Sequence, residues 1–507
     1  MTMSEYLHGA YGDTQANGNR VSTDSESAIV CIGTAPVHTL ALASGESYPV
    51  SKPVLVRNIA EAKKYFGYSD DWAKYTLCEA MHHFFETKGI GPLVFINVLD
   101  PTKAAHKSQN ATTVSKTPVN NIITIADAES VILDSVQVKT IPAEGDPVVK
   151  VKGTDYSIAY STAKKTITIT GITNLGTDAL NVVYDTIDAT GVTSDDVIGA
   201  TDNLGTNTGI FAVKNVYQLT GVIPAYMIAP GFSSVPAVHT AMYQNSQKVN
   251  GHWDMWIFAD LPLLNGSTPL TMDTIVTWKN SNGYNHPNET VYFPMIAGTD
   301  GNKYHLSVIA AANFLELLGE NEGIPYHSAS NTDAPIISKL WMGDSAVDKL
   351  FDDEIINEKL NKNGIASAAF VGGRWAVWGA HAASYNQNDA DYVNVAETAL
   401  MMLYYVSNDF QARRPRNVDK PMTANDIASI VAEEQNRLDG LKAMGALIYG
   451  EAALDADSIA NSDVYSGDFV FEFRVTTTPL AKSLKAVVTW VDDGFSTYFA
   501  TGESDVA

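Results

Sequence analysis

The sequence is short of cysteine, of positive charge and of long apolar runs, and each shortage removes a class of protein. Only two cysteines, Cys31 and Cys78, occur among 507 residues. That is too few for a disulfide framework, and both lie in apolar stretches that read as core, a usage expected of a reducing compartment. Lys and Arg number 33 against 57 Asp and Glu, a formal net charge of −24. A phosphate backbone is repelled by such a chain, so nucleic acid is not expected as a partner. The same charge makes separate copies repel one another, so any self-assembly rests on specific contacts. No apolar run reaches the ~18 residues of a membrane span. Ala399–Val406 is among the densest and is far shorter, so membrane insertion is not expected. Met1 to Arg20 is polar and Gly/Asn-rich, without the apolar stretch of a secretory signal.

Catalytic signatures are also missing. Gly171 to Gly176 has the frame of a phosphate-binding loop, but Thr177 stands where Lys is required. Gly231-Phe232-Ser233-Ser234 lacks the second glycine of a nucleophile elbow. His82-His83 with Glu86 offers ligands on one helix, yet neither HExxH nor its inverse is present; a solvated or interface pair is the reading. Asp389/Asp391 and Asp455/Asp457 are fragments of a calcium loop without its glycine and distal glutamate, and read as turns or caps. No catalytic residue, cofactor or metal ligand is therefore expected.

What is present is a patterned α/β chain. Residues 1–27 read as an extended polar arm. Ala28–Gly33 and Leu93–Leu99 are continuous apolar runs, the pattern of strands buried on both faces. Between them Trp72, Tyr75, Cys78, Met81 and Phe85 mark a helix that Gly89 ends. Strand, helix, strand in this order implies a parallel α/β unit. Residues 101–209 contain no Trp or Phe, are rich in Thr, and alternate strictly in Thr166-Ile167-Thr168-Ile169-Thr170. They read as an inserted all-β domain, a sandwich or barrel. The α/β pattern resumes over 210–384 with strands at Ala225–Ala229 and Trp253–Asp260, and helices at Tyr304–Leu318 and Ser345–Leu360. The core domain is thus discontinuous, 28–100 with 210–384.

Residues 385–493 read as a separate α+β domain. Val393, Ala396, Leu400 and Leu403 mark one helix, and Thr423 to Asp426 resembles a capping box before a second. Phe469, Phe471, Phe473 and Val475 alternate as a strand with one apolar face, and Leu484–Val491, with Val488 and Trp490, is expected to pair with it. Residues 494–507 form a closing arm carrying Tyr498 and Phe499. Neither arm has an evident partner in its own domain, which suits strands donated to another subunit as well as ends packed locally. Arg413, Arg414 and Arg416 form the one dense basic cluster, either a solvated loop or a contact for an acidic neighbour.

Several short motifs, in this order, resemble the contractile tail sheath proteins of bacteriophages and related injection systems. His8-Gly9-Ala10-Tyr11 is similar to the family's Pro-Gly-Val-Tyr opening, departing at His8 and Ala10. Ser27 to Gly33 is similar to its first core strand. Ala229-Pro230-Gly231 followed by Asp260-Leu261-Pro262 resembles its middle signature. Tyr292-Phe293-Pro294 matches an aromatic-aromatic-Pro step, with Met295 where Trp is common. Trp378-Gly379-Ala380 matches a Trp-Gly-Ala signature, with His381-Ala382 in place of Arg-Thr. Gly445-Ala446-Leu447, Gly450 and Gly467-Asp468-Phe469 fit the C-terminal domain.

The resemblance implies a subtilisin-like α/β core without a catalytic triad and a non-enzymatic subunit. Such subunits polymerise as stacked hexameric rings around an inner tail tube, with baseplate and tail terminator proteins as further partners. They contract to drive the tube through a cell envelope. It places the subunit in a virion tail or an equivalent contractile particle, assembled in the host bacterial cytoplasm. Ala10, Tyr11, Phe469, Phe471, Phe473, Val488, Trp490, Tyr498 and Phe499 are then the inter-subunit strand residues, alongside the three arginines. The alternatives are a β-rich surface adhesin or shell protein, and an α/β hydrolase-type enzyme.

Overall fold

The computed structural model of the chain describes residues 27–43, 45–142, 144–343, 352–385, 396–455, 467–492 and 494–495. Its centre is an eight-stranded sheet. The spatial order is Arg374–Trp378, Ile365–Val371, Glu289–Tyr292, Trp256–Asp260, Ile223–Ile228, Ser27–Gly33, Leu93–Asn97 and Val54–Val56. Every neighbouring pair is parallel except the two outermost, Ile365–Val371 with Arg374–Trp378 and Leu93–Asn97 with Val54–Val56. The central strands are the continuous apolar runs. Ile29 to Ile32, Leu93 to Ile96 and Trp256 to Ala259 are almost wholly inaccessible, because helices cover both faces of a parallel sheet.

The first strand ends at Gly33, where an added Cβ would meet the Thr76 hydroxyl oxygen at 2.3 Å. The closeness serves a junction: Thr34 Oγ accepts from the Thr76 amide at 3.1 Å, and the Thr34 amide donates to Thr76 Oγ at 3.3 Å. Helix Thr76–Met81 is thereby pinned to the strand end. It continues as a π-helical turn, His82–Lys88, closed by Gly89 in the left-handed conformation.

Residues 112–184 carry two three-stranded antiparallel sheets. One runs Thr112–Lys116, Leu180–Tyr184, Gln137–Thr140; the other runs Ile122–Ile125, Thr166–Gly171, Tyr156–Ser161. The alternation has the cause read from sequence: Ile167 and Ile169 point inward and the threonines between them outward. Ile123, Ile125, Val138, Tyr156 and Val182 complete a core separate from that of the large sheet. The chain returns to the large core through Ile187, Val197 and Ile210.

The C-terminal unit is built from helices Glu397–Arg413 and Ala424–Ala443 and one antiparallel hairpin, Leu447–Leu454 with Phe471–Thr477. The second helix opens with a complete capping box. The Asp426 carboxylate accepts from the Thr423 amide at 2.8 Å, and the Asp426 amide donates to Thr423 Oγ at 3.3 Å. Its own small core contains Met402, Val406, Leu438, Leu441 and Leu447.

The helix marked from Trp72 begins at Thr76, with Trp72 to Lys74 in a turn before it, and the strand expected over Trp253–Asp260 begins at Trp256. Other expectations shift as well. The helix expected over Tyr304–Leu318 runs Leu306–Glu320. Of the helix expected over Ser345–Leu360, Asp353–Lys359 is described and residues 344–351 lie outside the described residues. The strand expected from Phe469 begins at Phe471. Leu484–Val491 is not paired with it: the Leu447–Leu454 strand takes that place, seated on helix Ala424–Ala443 through Leu447 and Ala452. Pro479 falls between the two segments and denies a ladder donor there.

Candidate assembly surface

Among the described residues the hairpin of the C-terminal unit is a two-stranded sheet: the outer edge of Phe471–Thr477 joins no further strand, while side-chain bonds from Gln435 occupy part of the outer edge of Leu447–Leu454. Phe471, Phe473 and Val475 turn one face toward helix Glu397–Arg413, while Glu472, Arg474 and Thr476 turn away. Phe410 meets Phe471 and Phe473 at ring-centroid distances of 5.8 and 5.2 Å. Together with Leu403 and Val406 these rings line a half-open groove of about 260 Å³.

Beyond Thr478 the chain runs without helix or strand to Val491. Leu484 is 91% exposed, Val488 93% and Trp490 76%. These are side chains that each gain ~1.5–3 kcal/mol on burial, left in solvent on an extended backbone. Lys482 Nζ donates to Tyr385 Oη at 2.7 Å, and Trp490 meets Phe495 edge-on at 6.3 Å. Leu484–Val491 is therefore an exposed apolar segment that pairs with no strand among the described residues.

The expected site residues divide accordingly. Phe471 and Phe473 stand on the hairpin, and Phe469 precedes it half-buried. Val488 and Trp490 lie on the exposed segment. Ala10, Tyr11, Tyr498 and Phe499 lie outside the described residues. Arg413 and Arg414 are engaged within their own chain. Arg413 grips Glu434 with both terminal nitrogens at 2.8 and 2.7 Å and donates to Asp409 at 2.6 Å. Arg414 donates to the same Glu434 and, at 2.9 Å, to Glu433. Glu434 is buried, which by itself raises a carboxyl pKa, but the two guanidiniums hold it below its ordinary value. The two arginines thus fasten helix to helix, and Arg416 is the exposed member of the cluster. The outer edge of Leu447–Leu454 was not legible in the sequence. Its Ala and Gly content masks a strand that Gln435 clamps, donating to Gly450 O at 3.1 Å and accepting from the Ala452 amide at 2.9 Å.

The ends of the parallel strands, where α/β sheets usually hold ligands, are filled instead. At the switch between Ser27–Gly33 and Ile223–Ile228, Thr76 lies against Gly231, whose added Cβ would approach it to 2.9 Å. Nearby, Asp260 accepts from the Ser307 amide at 3.0 Å and from the Ser307 hydroxyl at 2.5 Å. Burial raises the pKa of Asp260 despite those bonds. The His305 ring is taken by Glu79 at 2.7 Å; burial opposes its charge, but this carboxylate overrides that and raises its pKa to about 9. The Ser307 hydroxyl hydrogen thus goes straight to a carboxylate and the imidazole to another, so nucleophile and base are not joined.

A mixed α/β chain with a separately cored β insertion and a C-terminal unit of two helices and an open hairpin has the fold of contractile sheath proteins. Over 97% of its length it superimposes on a chain of the contracted helical sheath of the anti-feeding prophage, covering all of that chain, with a TM-score of 0.53 at 13% identity. A chain of the contracted PVC sheath complex, an extracellular contractile injection system, matches 97% of it with a TM-score of 0.52 at 10% identity and is itself 99% covered. In sequence the chain is similar to the tail sheath protein of Burkholderia phage BcepMu, 30% identical over 239 residues. That stretch is 46% of this chain and 45% of that relative, so the match spans about half of each. No protein-family profile matches the chain.

Proposed function

We propose that the chain is a structural sheath subunit of a contractile phage tail or injection device, without enzymatic activity. The observation that carries this reading is its 30% identity to a phage tail sheath protein; the sheath fold along nearly the whole chain supports it. The subunits stack as hexameric rings around an inner tail tube, between a baseplate and a terminator, in a virion tail or equivalent particle. The two units of the large sheet, 28–100 and 210–384, form a subtilisin-like core with 101–209 as an outward decoration.

Neighbours are linked by donated strands. Leu484–Val491 of one subunit, and an N-terminal arm carrying Ala10 and Tyr11, add to the open hairpin of another, with Tyr498 and Phe499 extending the contact. The outer edge of Phe471–Thr477, which joins no further strand among the described residues, and the exposure of Val488 and Trp490 support this part. Each backbone hydrogen bond adds ~0.5–1.5 kcal/mol, so two short strands hold a subunit through many small contributions. Such contacts also overcome the repulsion expected of a −24 chain. Arg416 is left to meet acidic groups of a neighbour.

Electron microscopy of the purified full chain tests the reading. Long striated cylinders are expected. Isolated particles under all assembly conditions overturn it and favour the adhesin or shell alternative.

A further inference from the structure

The sequence carries no metal-ligand motif, yet the fold brings three candidate ligands together away from the assembly surface. His239, from helix Pro236–Gln244, is buried, as is Glu289, the first residue of its strand; His286, three residues before Glu289, is half-buried. One ligand atom from each lies within 4.8 Å of the other two. We propose that His239, His286 and Glu289 bind one divalent cation of the zinc class.

Two imidazoles and a carboxylate are a donor set for zinc and its neighbours; calcium and magnesium sites are built from oxygen. The rings are held in place before any cation arrives. His239 stacks on Tyr284 at 3.7 Å between ring centroids, and His286 stacks on Tyr243 at 3.4 Å. The Tyr284 hydroxyl is itself fixed, donating to Ser233 O at 2.9 Å. The carboxylate is oriented as well. Glu289 Oε1 accepts from the His286 amide at 3.0 Å, which directs Oε2 at His239 Nε2, 2.5 Å away. This is the outer-shell anchoring that metal-binding carboxylates require. A cation entering between them replaces that contact with two metal bonds, and His286, on the accessible side, closes the third. Its partial exposure leaves room for water at the remaining position. The ammonium of Lys279, whose charge acts on Glu289, is turned elsewhere, donating to Asn285 Oδ1 at 2.8 Å and Ala383 O at 2.7 Å.

The position gives the ion a structural task. The Ala383 amide donates to Glu289 O at 2.8 Å and the Ser384 amide to His286 O at 3.3 Å. The ligand strand therefore holds the stretch from which the chain departs toward the C-terminal unit. Cation binding ties helix Pro236–Gln244 to that point of departure.

The test uses the full chain freed of metal by chelator dialysis and titrated calorimetrically with Zn2+, then with Co2+ for its visible absorption. One equivalent is expected, with cobalt bands of low-symmetry nitrogen and oxygen ligation. His286→Ala, at the half-exposed ligand, should weaken binding by more than the ~10–100-fold that loss of an outer-shell partner causes. It should also abolish the rise in thermal midpoint on adding Zn2+. Absence of binding by the unaltered chain overturns the proposal. So does unchanged binding in a His286→Ala chain with the parent circular dichroism. Anomalous diffraction at the zinc edge on the unaltered protein decides independently of any variant: an ion at His239, His286 and Glu289 supports the site, and an ion elsewhere refutes it.

Discussion

Glu397 offers the sharpest electrostatic prediction. It opens the helix Glu397–Arg413 and is buried where that helix meets the large sheet. Its carboxylate accepts from Thr290 Oγ at 3.0 Å and from Ser328 Oγ. Burial nevertheless dominates and raises its pKa from 4.5 to about 7. At ~1.4 kcal/mol for each tenfold change, the ionised form is disfavoured by about 3 kcal/mol. The folded chain therefore holds this proton more tightly than the unfolded chain between those values. The contribution of Glu397 to stability is greatest below pH 4.5, falls as pH rises through 7, and is level above. The helix start favours negative charge by ~0.3–1 kcal/mol, smaller than the burial effect and already opposed by it. Urea unfolding of the full chain and of Glu397→Gln, at pH 5 and pH 8, measures the effect, because the other carboxylates cancel in the difference. Fluorescence is a suitable probe, since the Trp256 indole donates to Thr290 Oγ at 3.2 Å. The stability of the parent relative to the variant should fall by about 2–3 kcal/mol from pH 5 to pH 8, the part of the shift that this window spans. A difference that does not change with pH refutes the reasoning.

Glu434→Ala leaves Arg413 and Arg414 without their shared carboxylate, and should cost ~3–5 kcal/mol in urea unfolding, while Arg416→Ala should stay within ~0.5 kcal/mol. Val488→Ser with Trp490→Ser should leave the thermal midpoint of the unassembled subunit unchanged, since both side chains are already in solvent; pelleting assays should show no cylinders. Removing 101–209 and rejoining the chain should preserve both folding and assembly, read by circular dichroism and microscopy. Loss of folding would mean that the segment is not an independent insertion.

Much of this architecture was legible because burial on two faces leaves an unambiguous mark. Ile29 to Ile32 and Leu93 to Ile96 could only be interior strands, and Thr166 to Thr170 could only be half-buried. Thr423 and Asp426 declared their helix through chemistry confined to four residues. The failures have a common origin in long-range partnership. Leu484–Val491 reads as a strand from its side chains, but nothing local says which strand it joins. Leu447–Leu454 reads weakly because its pairing is enforced by Gln435 and a helix behind it. Arg413 and Arg414 looked like free charge because Glu434 is a turn-and-a-helix away, and the His239 ligand set spans two elements whose approach no spacing rule encodes.

The helix Glu397–Arg413 has one further consequence. Met401 is buried in the core of the large sheet, and the next residue, Met402, is buried in the core of the C-terminal unit. Asn408 adds a two-point clasp, accepting from the Asp254 amide at 3.0 Å and donating to Asp254 O at 2.8 Å. A single rod is thus embedded in both bodies at once, with no joint between them. A pull on the hairpin reaches the large sheet as through a lever, so in the array proposed above the give is left to the covalent tethers beyond Thr478.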